Sequence, residues 1–115
     1  MEGAYLFHVQ KHQEASLIEV GDDLDCFSAP ALESAIALIE AADETAVVSL
    51  EHCDYCDSSG LAVLIKAKKR LGSRLVIVVP EQSKAYRIFT LTDLLKPLDI
   101  KGERPDAIDV APLAP

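Results

Sequence analysis
Four short apolar runs alternate with stretches of helical periodicity, and this alternation constrains the fold more than any other property of the chain. Tyr5–Gln10, Ser16–Val20, Ala46–Leu50 and Leu75–Val79 read as strands, the last stopped by Pro80. Leu32, Ile36 and Ile39 recur at helical spacing, with Ala35 and Leu38 widening the stripe and an end expected near Ala42. Ser28 and Pro30 mark the start of this helix as cap and first-turn residue. A second helix from about Ser58 buries Leu61, Leu64, Ile65 and Leu71, and Gly72 ends it. A third, over Gln82–Thr90, places Ala85, Ile88 and Phe89 on one face, and Lys96–Ile100 reads as a last short strand or an extended tail segment. This order of elements predicts a mixed α/β sheet covered by helices.

A chain of 115 residues, half of them hydrophobic, suffices for one domain with one compact core. The domain is expected over residues 1–104, with 105–115 as a Pro-rich, poorly ordered tail carrying at most one helical turn near Asp106–Val110. No apolar run approaches the roughly 20 residues that span a bilayer. Met1–Tyr5 lacks the basic and apolar regions of a signal peptide, so a cytoplasmic location is expected. Nineteen acidic residues against 11 basic ones give a net charge of −8. That balance argues against nucleic acid or an anionic membrane surface as partner, because both require a positive field. Three cysteines, an odd number, fit free thiols in a reducing compartment better than a disulfide framework.

The chemistry concentrates at Cys56-Asp57-Ser58-Ser59-Gly60-Leu61, where a strand runs into a helix. A helix start carries unpaired N–H groups and the positive end of the dipole, and it favours a carboxylate, a hydroxyl cap or a phosphate. Capping by Asp57 is the commoner use of such a junction. The sharper use is as a phosphoacceptor, Ser58 or Ser59, where a phosphate changes the local charge by about −1.5 to −2. Asp22, Asp23 and Asp25 precede the first helix, and if their strand lies parallel to the next, they join Asp57 in an acidic rim around Ser58. Cys53-Asp54-Tyr55-Cys56 has the CxxC spacing, but no second ligand pair completes a zinc site, and the helix starts after Cys56 rather than Cys53. Two buried apolar thiols are the better reading, with a thiol redox protein as a rival. Lys66, Lys68, Lys69, Arg70 and Arg74 read as a solvated helix end. No catalytic constellation, metal-ligand set or cofactor loop is visible.

From Tyr5 to Ile100 the chain resembles the STAS domain family, and within it the bacterial anti-sigma factor antagonists. Tyr55–Leu64 is similar to the family's aromatic-aliphatic-Asp-Ser-Ser/Thr-Gly-Leu-Gly segment. Asp23-Leu24-Asp25 with Ser28-Ala29 resembles its Gly-Glu-Leu-Asp loop, and Arg74–Pro80 followed by Arg87–Thr92 its last central strand and a helix ending in a Leu-Thr-Gly-Leu-like turn. Asp22 stands for the loop glycine, Ala62 for a frequent glycine and Asp93 for a glycine at the end of the third helix. The resemblance implies a mixed sheet of four to five strands with helices packed mainly on one face. It implies a non-enzymatic, phosphorylation-switched binding protein, with Ser58 as the phosphoacceptor and Asp57, Asp23 and Asp25 around it. Ser28, Ser59, Gly60, Leu61 and Ala62 would form the partner surface. The implied partners are an anti-sigma factor that is also a serine kinase and a metal-dependent serine phosphatase. The rival within the fold is a constitutive subunit of a membrane (phospholipid) transport complex that binds its ATPase.

Overall fold
The computed structural model describes residues 7–12 and 14–105. β1 (Phe7–His12) runs antiparallel to β2 (Ala15–Val20), while β2, β3 (Thr45–Ser49) and β4 (Leu75–Val78) are mutually parallel, in the order β1-β2-β3-β4. Parallel neighbours need a crossover, and two helices supply it: α1 (Ala29–Ala41) joins β2 to β3, and α2 (Ser58–Leu71) joins β3 to β4. After β4 comes α3 (Lys84–Leu91).

Alternation along the strands divides the core in two. Ile18, Val20, Ala46, Val48, Leu75 and Ile77 form one cluster with Leu32, Ile36 and Ile39 of α1, Val63, Leu64, Ala67 and Leu71 of α2, and Ala85 and Phe89 of α3. Leu17, Val47 and Val78 form a smaller cluster from the alternate positions. Thus the described helices all pack on one face of a mixed sheet. Leu38, expected in the α1 stripe, is 75% exposed, because one position from Ile39 is about 100° around the helix. Leu61 and Ile65 likewise lie at the margin of the α2 stripe, half-buried, and Val63 takes a core place instead.

Helix ends follow local chemistry. Gly72 closes α2 at φ +57, a conformation glycine adopts freely. Asp93, just past α3, stands at φ +59, the left-handed conformation for which glycine is the usual choice. Lys96–Ile100 does not form a strand: Leu98 and Ile100 donate backwards to Leu94 and Leu95 in tight turns, and Asp99 has φ +51. The next residue, Lys101, forms a single parallel bridge with Val78. Residues 5 and 6 of the expected first strand and the tail from Asp106 lie outside the described residues.

Candidate functional site
The parallel pairing of β2 and β3 delivers the loops that follow them to one edge of the sheet, and those loops are joined directly. Leu24 N–H donates to the Tyr55 carbonyl at 2.9 Å, and Asp57 N–H donates to the Leu24 carbonyl at 3.0 Å, forming one rung of parallel pairing between Leu24 and Cys56. Leu24 is fully buried beneath this rung. The acidic residues expected around Ser58 are therefore brought together in one loop pair.

Asp57 caps α2. Its Oδ1 accepts the N–H groups of Ser59 at 2.9 Å and Gly60 at 3.1 Å, and its Oδ2 accepts the N–H of Cys26 at 3.1 Å from the other loop. One carboxylate thus satisfies two helix-start donors and ties the loops together. Ser58 is the first residue of α2 and is exposed. Gly60 packs against Leu24 so closely that a Cβ there would lie 2.6 Å from Leu24 Cγ and 2.9 Å from its carbonyl oxygen. Ser59, Leu61 and Ala62 are half-buried along the adjoining turns.

Ser28 and Gly60, expected at a partner surface, are buried instead. Ser28 is 3% exposed; its hydroxyl donates to the Asp23 carbonyl and accepts from Asp25 N–H, both at 3.0 Å. Neither does it cap α1 as expected: its helical backbone conformation (φ −95°, ψ −19°) directs the side chain back into the loop. Asp25 organises the same loop, its Oδ1 accepting from Phe27 N–H at 3.0 Å and Ser28 N–H at 3.1 Å. The sequence reading missed Phe27, which is 72% exposed in this loop; Tyr55, 52% exposed, faces out from the other. An aromatic placed between an acidic cluster and a helix start is the signal that could have found Phe27.

Cys53 and Cys56 are both buried. Removal from water pushes the Cys53 thiol up and the Cys56 thiol up to about 12, helped in the second case by the neighbouring Cys53 and by the Asp57 carboxylate. Burial and the raised pKa both disfavour the thiolate that disulfide exchange requires, which weighs against the redox reading. Glu19, Glu51 and His52 each bring a ligand atom within 4.8 Å of the others. Arg104 already bridges the two carboxylates, at 2.9 Å from Glu51 and in direct contact with Glu19, so the cluster is an ion pair network.

Among the described residues, no helix is long and apolar enough to cross a membrane. The sequence profile of a family described as "Mlab, STAS domain" matches residues 7–98. No curated protein shows significant sequence similarity to the chain. Among solved structures, an anti-sigma factor antagonist from Mycobacterium paratuberculosis superposes with a TM-score of 0.78 at 27% identity, covering 92% of each chain. The Bacillus cell fate determinant SpoIIAA in its phosphorylated form gives 0.65 at 18% identity, over 90% of this chain and 97% of that one. A sulfate transporter family protein from Wolinella succinogenes gives 0.67 at 13% identity, over 84% of each chain.

Proposed function
The chain belongs to the STAS domain family, and from that premise we propose that it is an anti-sigma factor antagonist whose contact surface is switched by phosphorylation of Ser58. The observation that carries this reading is the exposed hydroxyl of Ser58 at the head of α2, beside a carboxylate that has already taken the helix-start donors of Ser59 and Gly60. A phosphate on Ser58 finds those donors occupied. It adds about −1.5 to −2 charges next to Asp57, in the loop pair that also carries Asp23 and Asp25. The change therefore acts on the surface presented to a partner and leaves the fold in place.

In the unphosphorylated state Ser58, Ser59, Leu61 and Ala62, with the exposed rings of Phe27 and Tyr55, form the contact for an anti-sigma factor that is also a serine kinase. Binding it releases a sigma factor. The phosphorylated form is repelled, and a metal-dependent serine phosphatase restores it. The protein contributes recognition and an acceptor hydroxyl, performs no catalysis of its own, and acts in the cytoplasm without contacting nucleic acid or membrane. The likeness to an antagonist at 27% identity over 92% of each chain supports the partner class.

Intact-mass analysis with site mapping, on protein purified from its own cells with phosphatase inhibitors, tests the switch. One phosphate at Ser58 is expected. Ser58→Ala should block phosphorylation and keep binding to the kinase, while Ser58→Asp should weaken binding. An unmodified Ser58 under every growth condition, together with co-purification of an ATP-binding-cassette protein, would replace this reading with that of a constitutive transport-complex subunit.

A further inference from the structure
The second half of α2 and the turn after α3 enclose an apolar cleft of about 330 Å³, lined by Ile65, Lys68, Lys69, Leu94, Pro97 and Leu98. Leu98 is buried at its base, Ile65 and Leu94 are half-buried, and Pro97 is exposed. Pro97 also lines a neighbouring cleft of about 470 Å³, together with Thr90, Asp93, Leu95 and Lys96. The basic residues nearby fall into two sets. Lys68 donates to the Leu75 carbonyl at 2.8 Å, Arg70 pairs with Glu40 at 3.0 Å, and Arg74 pairs with Asp43 at 3.2 Å. Lys69, in the lining of the first cleft, and Lys96, in that of its neighbour, are exposed, and among the described residues neither has an acidic partner. On a molecule of net charge −8, an apolar slot whose lining carries two lysines, Lys68 and Lys69, and no carboxylate is a local reversal of sign.

We propose that this cleft docks an acidic amphipathic helix of a partner protein, its apolar side chains seated between Ile65 and Leu94 and its carboxylates facing Lys69 of the cleft and Lys96 of its neighbour. Helix-in-groove recognition uses this combination of an apolar slot and a charged rim. An anionic vesicle or a nucleic acid presents an extended negative field that the whole acidic molecule avoids, whereas one short helix presents its charge only at the cleft. The proposal does not rest on the Ser58 reading: Ile65 lies seven residues, about 10 Å of helix, from Ser58. The two surfaces therefore bind separately, and the cleft is indifferent to phosphorylation.

Amide chemical shifts of the full chain, titrated with a synthetic helical peptide bearing Leu on one face and Glu on the other, test the proposal. Saturable shifts are expected at Ile65, Lys69, Leu94 and Leu98. Charge reversal of two exposed residues, Lys69→Glu with Lys96→Glu, should weaken the peptide about tenfold or more without unfolding the protein, and Ser58→Asp should leave the affinity unchanged. Absence of saturable shifts, equal binding of the same peptide with Lys in place of Glu, shifts centred on Ser58, or preferential binding to anionic phospholipid vesicles would each overturn it.

Discussion
At the scale of single residues, the junction is built from contacts that leave no room. Gly60 occupies the third position of α2, where alanine ordinarily gains up to about 1 kcal/mol over glycine. Here the added Cβ would meet Leu24 Cγ at 2.6 Å and its carbonyl oxygen at 2.9 Å, and Leu24 is pinned by its hydrogen bonds to Tyr55 and Asp57. Neither group can withdraw without opening the loop pair. Gly60→Ala should therefore cost a net 1–3 kcal/mol or so, read as a lower urea midpoint at unchanged slope. Cys56 gives a second residue-scale expectation. Its thiol stays protonated to about pH 12 in the folded chain, against an ordinary value of 9.0. Between those values the unfolded chain has released a proton that the folded chain still holds. The contribution is full below about pH 9 and declines towards pH 12, by on the order of 1 kcal/mol per pH unit, in a series of chemical denaturations. Cys56→Ala should flatten that part of the profile. Iodoacetamide at pH 8 should modify exposed Cys26 and spare Cys53 and Cys56 until the chain unfolds.

At the scale of elements, the parts legible in the sequence are those whose signals are local. α2 begins and ends where Asp57 and Gly72 say it should, because a capping carboxylate and a glycine at positive φ act within a few residues of themselves. The β-branched runs became strands for the same reason. Ser28 misled because its cap role depends on a backbone conformation that the Asp25 loop decides, and Leu38 misled because an apolar residue can widen a stripe or fall outside it. Lys96–Ile100 was illegible as a turn because its alternatives differ in long-range contacts: the burial of Leu98 and the left-handed Asp99 outweigh the apolar pattern. The end of α3 offers a direct test. Asp93 at φ +59 bears a Cβ where glycine has none. Asp93→Gly should raise stability by about 0.5–1 kcal/mol in thermal denaturation, and Asp93→Val should lower it by at least as much.

At the scale of the molecule, charge is distributed by position along α2. The helix begins at the loop pair that carries Asp23, Asp25 and Asp57, and its second half borders a cleft lined by Lys68 and Lys69. The composition alone shows only the net of these, −8, and so conceals the basic cleft. It conceals Arg104 equally, since nothing local in Gly102–Pro105 announces a partner 85 positions away. Arg104 bonds Glu51 through Nε at 3.1 Å and Nη2 at 2.9 Å, and also reaches Glu19 on β2; Glu51 in turn accepts the Ser49 hydroxyl at 3.0 Å. The C-terminal segment is thereby fastened to the ends of β2 and β3, where the chain leaves the sheet for the Ser58 loop. Because the three side chains are 14%, 17% and 25% exposed, solvent screens the pair only partly, and removing the cation strands two carboxylates against each other. Arg104→Met keeps the apolar stem and deletes the charge. It should cost about 1–2 kcal/mol, below the range for a fully buried pair. Amide exchange should rise across Ser49–Cys53 while the core of α1 is unchanged. A loss of stability spread evenly over all amides would instead mean that Arg104 acts through general packing and does not hold the ends of β2 and β3.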